Sequence, residues 1–404
     1  MQLIYLADFY TQMRMLRETR CSIVSALHSD QDQIDDQYII QLKRTEDQLR
    51  AIPKKNGLYQ LKTCEDDEIL LELDYELGEL EKDRIYLEQG QKALEDHLAN
   101  IHTDFKKQVK QGVEFLNNKK FDHFITDRDG TIANYCGRYQ SSIQPIYNAI
   151  FLSDFAKKIS GKSVILTSAP LYHIGLLEIS IQPKEDYVLA GSKGREFVDV
   201  NGDKFQYPIE EKQQKKLEQL NEAIEKILEK KEFSAFRYIG SGLQHKFGQT
   251  TLARQDKNKS IPEERSQQLK QSVEQLLKNL DPDGQFFRLE DTGKDLEIML
   301  TVKKDKQKEV EDFNKGHGVK FIAKKFRLET NGKKMLICGD TASDLPMLQA
   351  AKDLGPEVFC IFVTTDDALK KEVREICPDA FIVSTPDVLV TLLQKYATSR
   401  TFDD

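Results

Sequence analysis

Hydrophobic residues in the first hundred positions recur at spacings of three and four. From Asp66 to Phe105 they fall at Leu70, Leu73, Leu77, Leu80, Leu87, Leu94, Leu98, Ile101 and Phe105, interrupted in phase only by Arg84 and Gln91. That period places them on one stripe and predicts a long helix with a single apolar seam. Upstream, MQLIYLADFYTQMRMLRETRCSIVSALH and DQIDDQYIIQLKRTEDQLRAI carry the pattern of two more amphipathic helices, with Asp30 as a cap and IPKKNG as the break. Residues 1–117 are therefore expected to form an all-α helical bundle or coiled-coil domain. A packed three-helix domain, a dimer seam and a surface for a protein partner all satisfy the pattern, so a homo-oligomer through these helices stays open.

After Asn118 the pattern changes to short apolar runs alternating with helical segments, which predicts an α/β domain with a parallel sheet. The expected strands are DHFIT, SVILT, DYVLA, KMLIC, VFCIFV and AFIVS. Between them lies a stretch of different character, with EFVDVNGDKFQYPI, a charged helix from Glu210 to Lys231, a helix opening at Pro262, and the runs FFRLE and LEIMLTV. The reading is a Rossmann-like core over 118–196 and 303–404, interrupted by an α+β insertion over 197–302 that sits above the carboxyl edge of the sheet.

Composition narrows the function. The chain has 404 residues, 39% of them hydrophobic, which is enough for two or three cores. Its 59 basic and 67 acidic residues give a net charge of -8, which argues against nucleic acid as a partner. Six cysteines without a CxxC pair, and a start lacking a basic region followed by an apolar one, suggest a reduced cytoplasmic protein. No apolar run approaches membrane-spanning length. SGKS at 160–163 resembles the end of a P-loop, but Ala156 stands where the first glycine is required.

The chemistry gathers at FDHFITDRDGT, residues 121–131. Two carboxylates, Asp127 and Asp129, follow an apolar strand at the edge where ligands bind in open parallel sheets. Asp127 can act as a nucleophile, and Asp129 as the acid that protonates a leaving oxygen and the base that activates water. Their repulsion is removed by a hard divalent cation such as Mg²⁺. That demands further acidic residues and a basic one. KMLICGDTASDLPML supplies Asp340 as a further ligand and Asp344, which is open between ordering a metal site and capping a helix. FNKGHGV supplies Lys315 at a helix start, suited to a phosphoryl group, and SVILTSAP ends in Thr167 and Ser168, either of which can donate to a phosphoryl oxygen.

These four pieces, in this order, resemble the haloacid dehalogenase superfamily of phosphohydrolases. DxDGT is matched by Asp127 to Thr131, the hydroxyl residue after a strand by Thr167, the lysine by Lys315, and the acidic loop GDxxSD by Gly339 to Asp344. The resemblance implies an aspartyl phosphate on Asp127, acid and base work by Asp129, and Mg²⁺ held by Asp127, the backbone carbonyl of Asp129, Asp340 and Asp344. Arg128 occupies a position that the superfamily leaves variable. LAGSKGREF, GLQHKFGQTTLARQD and DLEIML are similar to segments of the trehalose-6-phosphate phosphatases, which implies sugar contacts by Lys193, Glu196, Lys246 and Glu297. For Lys193, Lys246 and Glu297 a role as solvated surface charges is equally open. The expected activity is Mg²⁺-dependent hydrolysis of trehalose 6-phosphate, with another sugar phosphate, or an inactive scaffold built on the helices, as the alternatives.

Overall fold

The computed structural model describes residues 3–29, 34–63, 67–303, 310–328 and 330–399. The amino-terminal part contains the helices α1 (Leu6–His28), α2 (Asp36–Arg50), α3 (Asp74–Ile101) and α4 (Phe105–Leu116). Asp35 caps α2 by accepting from the amide of Gln37 at 2.9 Å, while Asp30 lies outside the described residues. A small antiparallel sheet of β1 (Lys54–Lys55), β2 (Leu58–Lys62) and β3 (Glu68–Leu71) joins α2 to α3. The break expected at IPKKNG is its turn, with Asn56 and Gly57 at φ 53° and 83°, as a two-residue hairpin of this hand requires.

The long helix expected from Asp66 therefore starts only at Asp74. Ile69 and Leu71 are buried beside Tyr59 and Leu61 of β2, so over this short stretch a period of two wins over the heptad pattern. The helix also breaks direction at Gly90, whose φ of 84° no helical residue adopts. Before the kink, Leu77 and Leu80 pack with α1 and α2; after it, Leu94 and Leu98 join the core of the α/β part. Most of the seam is thus consumed within the chain, although Ile101 remains about half exposed.

The α/β part is an eight-stranded sheet of β4 (His123–Thr126), β5 (Lys162–Leu166), β6 (Val188–Gly191), β7 (Glu196–Val198), β8 (Lys204–Gln206), then β15 (Lys334–Gly339), β16 (Glu357–Val363) and β17 (Phe381–Val383). Its order is β17-β16-β15-β4-β5-β6-β7-β8. The six strands from β17 to β6 run parallel, and β7 and β8 extend the sheet antiparallel. Each of the six parallel strands coincides with one of the apolar runs read from the sequence. β4 is buried along its whole length because helices cover both faces. One face is covered by α5 (Ile146–Ala156) and α12 (Pro386–Thr398) together with α4, the other by α9 (Lys315–Phe326), α10 (Leu345–Asp353) and α11 (Asp367–Ile376). A short helix, α6 (Leu176–Ile179), precedes β6.

Since β7 and β8 belong to the central sheet, the insertion expected from residue 197 leaves that sheet only after Gln206. It holds α7 (Glu211–Leu228) and α8 (Glu263–Leu280) on a sheet of order β11-β12-β10-β9, with β9 Leu243–Lys246, β10 Gln249–Ala253, β11 Phe287–Asp291 and β12 Asp295–Leu300. Leu217, Leu220, Ile224, Leu269 and Val273 of the helices bury Leu252, Leu296 and Ile298. Alternation then turns Gln244, Lys246, Thr251 and Glu297 to the opposite face. β13 (Val302–Lys303) and β14 (Val310–Glu311) pair on the way back to α9. Ser192 and Arg195, beside β7, tie the turn after β9 to the central sheet: the Ser192 hydroxyl accepts from the Phe247 amide at 2.9 Å and Arg195 donates to the Gly248 carbonyl at 2.8 Å. No helix among the described residues is long and apolar enough to cross a membrane.

Candidate active site

The parallel register of β4 and β15 brings the two acidic loops together. Thr126 pairs with Cys338, and the next amide, that of Asp127, donates to the Cys338 carbonyl at 3.0 Å, which sets Asp127 beside the loop that follows Gly339. Oxygens of Asp127, Asp340 and Asp344 lie within 4.8 Å of one another. Thr131 donates to Asp340 Oδ1 at 2.8 Å. Gly130 takes φ +87°, and a Cβ there would stand 2.2 Å from Asp340 Oδ2, so the turn between the loops has room for glycine alone.

Lys315 enters from the first turn of α9. Its Nζ lies 2.6 Å from Asp127 Oδ1 and 2.5 Å from Asp344 Oδ1. Asn314 caps this helix by accepting from the His317 amide at 3.1 Å. Asp344 is fully buried and accepts from the amides of Asp340 and Thr341, both at 3.0 Å. Its carboxylate makes no cap bond to α10; it fixes the acidic loop, through the turn ahead of that helix, and Lys315 together. A Cβ on Gly339 would lie 2.6 Å from the Asp344 Cβ, which explains the glycine at the end of β15.

The electrostatics of this cluster call for a cation. Burial pushes the Asp127 carboxyl well above its ordinary range, with Asp344 and Asp340 adding to the rise against the pull of Lys315. Burial and the neighbouring Asp344 likewise push Asp340 up to about 6. Burial opposes the charge on Lys315, but Asp127 and Asp344 outweigh it and hold the ammonium above the ordinary lysine range. Three carboxylates against one ammonium leave two negative charges, which one oxygen-seeking divalent ion would balance.

Asp129 has partners other than Lys315. Its Oδ1 accepts from the Ser142 hydroxyl at 2.9 Å and from the Arg128 guanidinium. Arg128 is itself 1% exposed and donates to Ser142 at both the hydroxyl, 3.0 Å away, and the carbonyl. Sequence reasoning passed over Arg128 as a variable position and gave no sign of Ser142. Only an arginine between two aspartates, where a loop needs no such bulk, hinted at the contact.

Thr167 follows β5, one strand from Asp127, with its amide on the Ala190 carbonyl at 2.9 Å and its carbonyl accepting from Lys193 at 2.9 Å. Glu196 is buried, and its Oε1 accepts from the Ser192 hydroxyl at 2.7 Å and the Leu171 amide at 3.1 Å, so it braces the turn before β7. Lys246 is 7% exposed, which removes the solvated-charge reading for that residue. Burial pushes its amine down to about 8 against the attraction of Glu297. Burial also lowers Lys193, with Glu297 again opposing, so the three form one electrostatic group across the gap between the central sheet and the insertion. Gln249 holds Glu297 through a 3.1 Å hydrogen bond. A cavity of about 480 Å³ is lined by Tyr75 and Glu79 of α3, Asn134 and Tyr135 of the loop after β4, and Lys294 and Asp295 of the insertion, and by none of Asp127, Asp129, Asp340 and Asp344.

Two family models match the chain. Residues 124–389 match the C-terminal domain of trehalose-6-phosphate phosphatase, and residues 5–119 match the N-terminal helical bundle domain of the same family. A Brugia malayi protein named trehalose-phosphatase is 30% identical over 424 residues, covering 95% of this chain and 84% of that protein. A Caenorhabditis elegans trehalose-phosphatase is 35% identical over 272 residues, covering 66% of this chain and 61% of that protein. A Caenorhabditis elegans protein named alpha,alpha-trehalose-phosphate synthase (UDP-forming) 2 is 33% identical over 409 residues; the alignment covers 95% of this chain, which spans about a third of that relative's length, 33%. On the matches over 124–389 and 5–119, and on the Brugia malayi relative, the chain belongs to the trehalose-6-phosphate phosphatase family.

Proposed function

We propose that the protein is a phosphoric monoester hydrolase that cleaves trehalose 6-phosphate to trehalose and phosphate, with Asp127 as nucleophile. The observation that carries this reading is the buried cluster itself: Asp127, Asp340 and Asp344 gathered around Lys315 at the carboxyl edge of a parallel sheet. The reading divides the chain into the helical domain, the catalytic domain and the insertion acting as a cap over the aspartates.

Asp127 and Asp340 would hold a Mg²⁺ ion with side-chain oxygens and Asp129 with its backbone carbonyl, while Asp344 orders the loop; the ion would neutralise the carboxylates and draw charge from the phosphoryl oxygens. Lys315 and Thr167 hold the phosphoryl group from the protein side. An Asp127 oxygen then attacks phosphorus in line, forming a P–O bond as the bond to the sugar oxygen breaks. Asp129 gives its proton to that departing oxygen. Once the sugar has left, Asp129 takes a proton from water, which attacks the aspartyl phosphate; the P–O bond to Asp127 breaks and the carboxylate is restored.

Lys193, Lys246 and Glu297, which act on one another electrostatically, suit the hydroxyls of a sugar; a site built to pair with hydroxyls discriminates against ligands that leave its groups unpaired. The unpaired thiols of Cys21, Cys136, Cys338, Cys360 and Cys377 accord with a reducing, cytoplasmic setting. Phosphate release from trehalose 6-phosphate, glucose 6-phosphate and sucrose 6-phosphate with Mg²⁺ tests the assignment. Preference for the first is expected; preference for either of the others would reassign the substrate, and no Mg²⁺-dependent release from any would overturn the enzymatic reading.

A further inference from the structure

We infer that the helical domain is a positioning element of the catalytic centre, because it grips the segment that holds Asp129. The inference rests on the reading of Asp129 as acid and base given above. Ser142 is 1% exposed, and its hydroxyl donates to Asp129 Oδ1 at 2.9 Å while it accepts from Arg128 at 3.0 Å. One hydroxyl thus links the acid-base group to the arginine between the two catalytic aspartates. Ser142 belongs to the stretch 138–145, which links the loop after β4 to the first residue of α5, Ile146, and has only a single 3₁₀ turn of its own at Tyr139–Ser141.

That stretch is held by α1 and α3 at several buried points. Glu76 of α3 accepts from Arg138 at 2.7 Å and from the Ser141 hydroxyl at 2.6 Å. Tyr75 donates to the Ile143 carbonyl at 3.1 Å, and Arg20 of α1 donates to the same oxygen at 2.9 Å. Asp83 accepts from the Ile146 amide at 2.7 Å and pairs with Arg20 at 2.6 Å. Glu76, Asp83 and Arg20 are each at most 2% exposed, so these bonds form out of water, where charged partners hold their geometry tightly. The residues on either side of Ser142 are both gripped from the helical domain: Ser141 by Glu76, and Ile143 by Tyr75 and Arg20. The position of Asp129 is therefore set from outside the sheet that carries it. A general acid displaced by about 1 Å loses on the order of 10²-fold in rate.

The test compares trehalose 6-phosphate turnover by the full chain with turnover by the variants Tyr75→Phe, Glu76→Gln and Ser142→Ala, with Lys43→Ala as the control. Lys43 makes an exposed pair with Glu88 on the far part of the helical domain. Each variant is also made in an Asp127→Asn background, where calorimetry gives the stoichiometry and Kd of trehalose 6-phosphate with Mg²⁺. The expected result is a kcat loss of about tenfold or more in the three variants, with stoichiometry, Kd and KM at the wild-type values and Lys43→Ala unaffected. Wild-type kcat in Tyr75→Phe and Glu76→Gln would overturn the inference, as would a kcat loss that only follows a lost binding stoichiometry. If Glu76→Gln fails to fold, Tyr75→Phe, which removes one oxygen, decides alone. A wild-type protein without trehalose 6-phosphate turnover would remove the functional reading first, and the inference with it.

Discussion

Lys315→Met separates the structural work of the buried cluster from its chemistry. The substitution keeps the length of the side chain and removes the ammonium 2.6 Å from Asp127 and 2.5 Å from Asp344. The cluster then holds three carboxylates without a counter-charge, and removing one partner of a buried ion pair costs about 3–5 kcal/mol. For a domain of this size each kcal/mol lowers the unfolding temperature by roughly 2–4 °C, so a fall on the order of 10 °C is expected in EDTA. Saturating Mg²⁺ restores two positive charges to the same oxygens. The thermal shift on adding Mg²⁺ should therefore be larger in Lys315→Met than in the wild type, while phosphate release is lost in both buffers. Scanning calorimetry with EDTA and with Mg²⁺ measures the fall and the shift, and a phosphate assay measures release. Equal destabilisation in both buffers would refute the idea that lysine and metal neutralise one shared cluster.

Two further outcomes follow from the same geometry. Asp340 sits near a pKa of about 6, above the ordinary 3.8, so in the metal-free protein the folded state holds its proton more tightly than the unfolded chain does. Its contribution to stability is full below the unfolded value and is lost as pH rises through about 6, whereas Mg²⁺ needs the deprotonated form. The Mg²⁺-induced thermal shift should grow from pH 4.5 to 7; a shift independent of pH would contradict the role of Asp340 in the metal site. Gly130→Ala forces a Cβ to 2.2 Å from Asp340 Oδ2 at φ +87°. A stability loss of about 1–3 kcal/mol is expected from the backbone alone, together with weaker Mg²⁺ binding by calorimetry, and unchanged Mg²⁺ affinity would show that the loops have more freedom than the close approach allows.

Much of the catalytic core was legible because its signals are local. Each parallel strand is a short apolar run buried on both faces, and the functional loops follow the strands directly, so Asp127, Thr167 and Asp340 could be placed from their neighbours. Lys315 was legible from the helix start that surrounds it. The start of α3 was not: Leu70 fits a heptad stripe, but Ile69 and Leu71 had a buried partner in β2, and pairing between strands decides locally ambiguous stretches. The same holds for β7 and β8, whose membership of the central sheet depends on the antiparallel pairing of Glu196 with Gly191. Least legible was the network around Asp129. Glu76 meets Ser141 across 65 positions and Arg20 meets Ile143 across 123, and no pattern in either segment announces the other. Glu196, read from motif similarity as a sugar contact, also uses one of its oxygens to brace the turn before β7, a bond that the motif does not announce.

In the proposed reaction Asp127 accepts the phosphoryl group within a cluster that the two acidic loops build together. Rapid mixing with trehalose 6-phosphate and Mg²⁺, followed by borohydride quenching and peptide mass spectrometry, tests it at the atom concerned, because reduction of an aspartyl phosphate leaves homoserine. Homoserine at position 127, formed only with Mg²⁺ and substrate together, is the predicted result. An unmodified Asp127 during sustained turnover, or a reduced residue elsewhere in the chain, would contradict it.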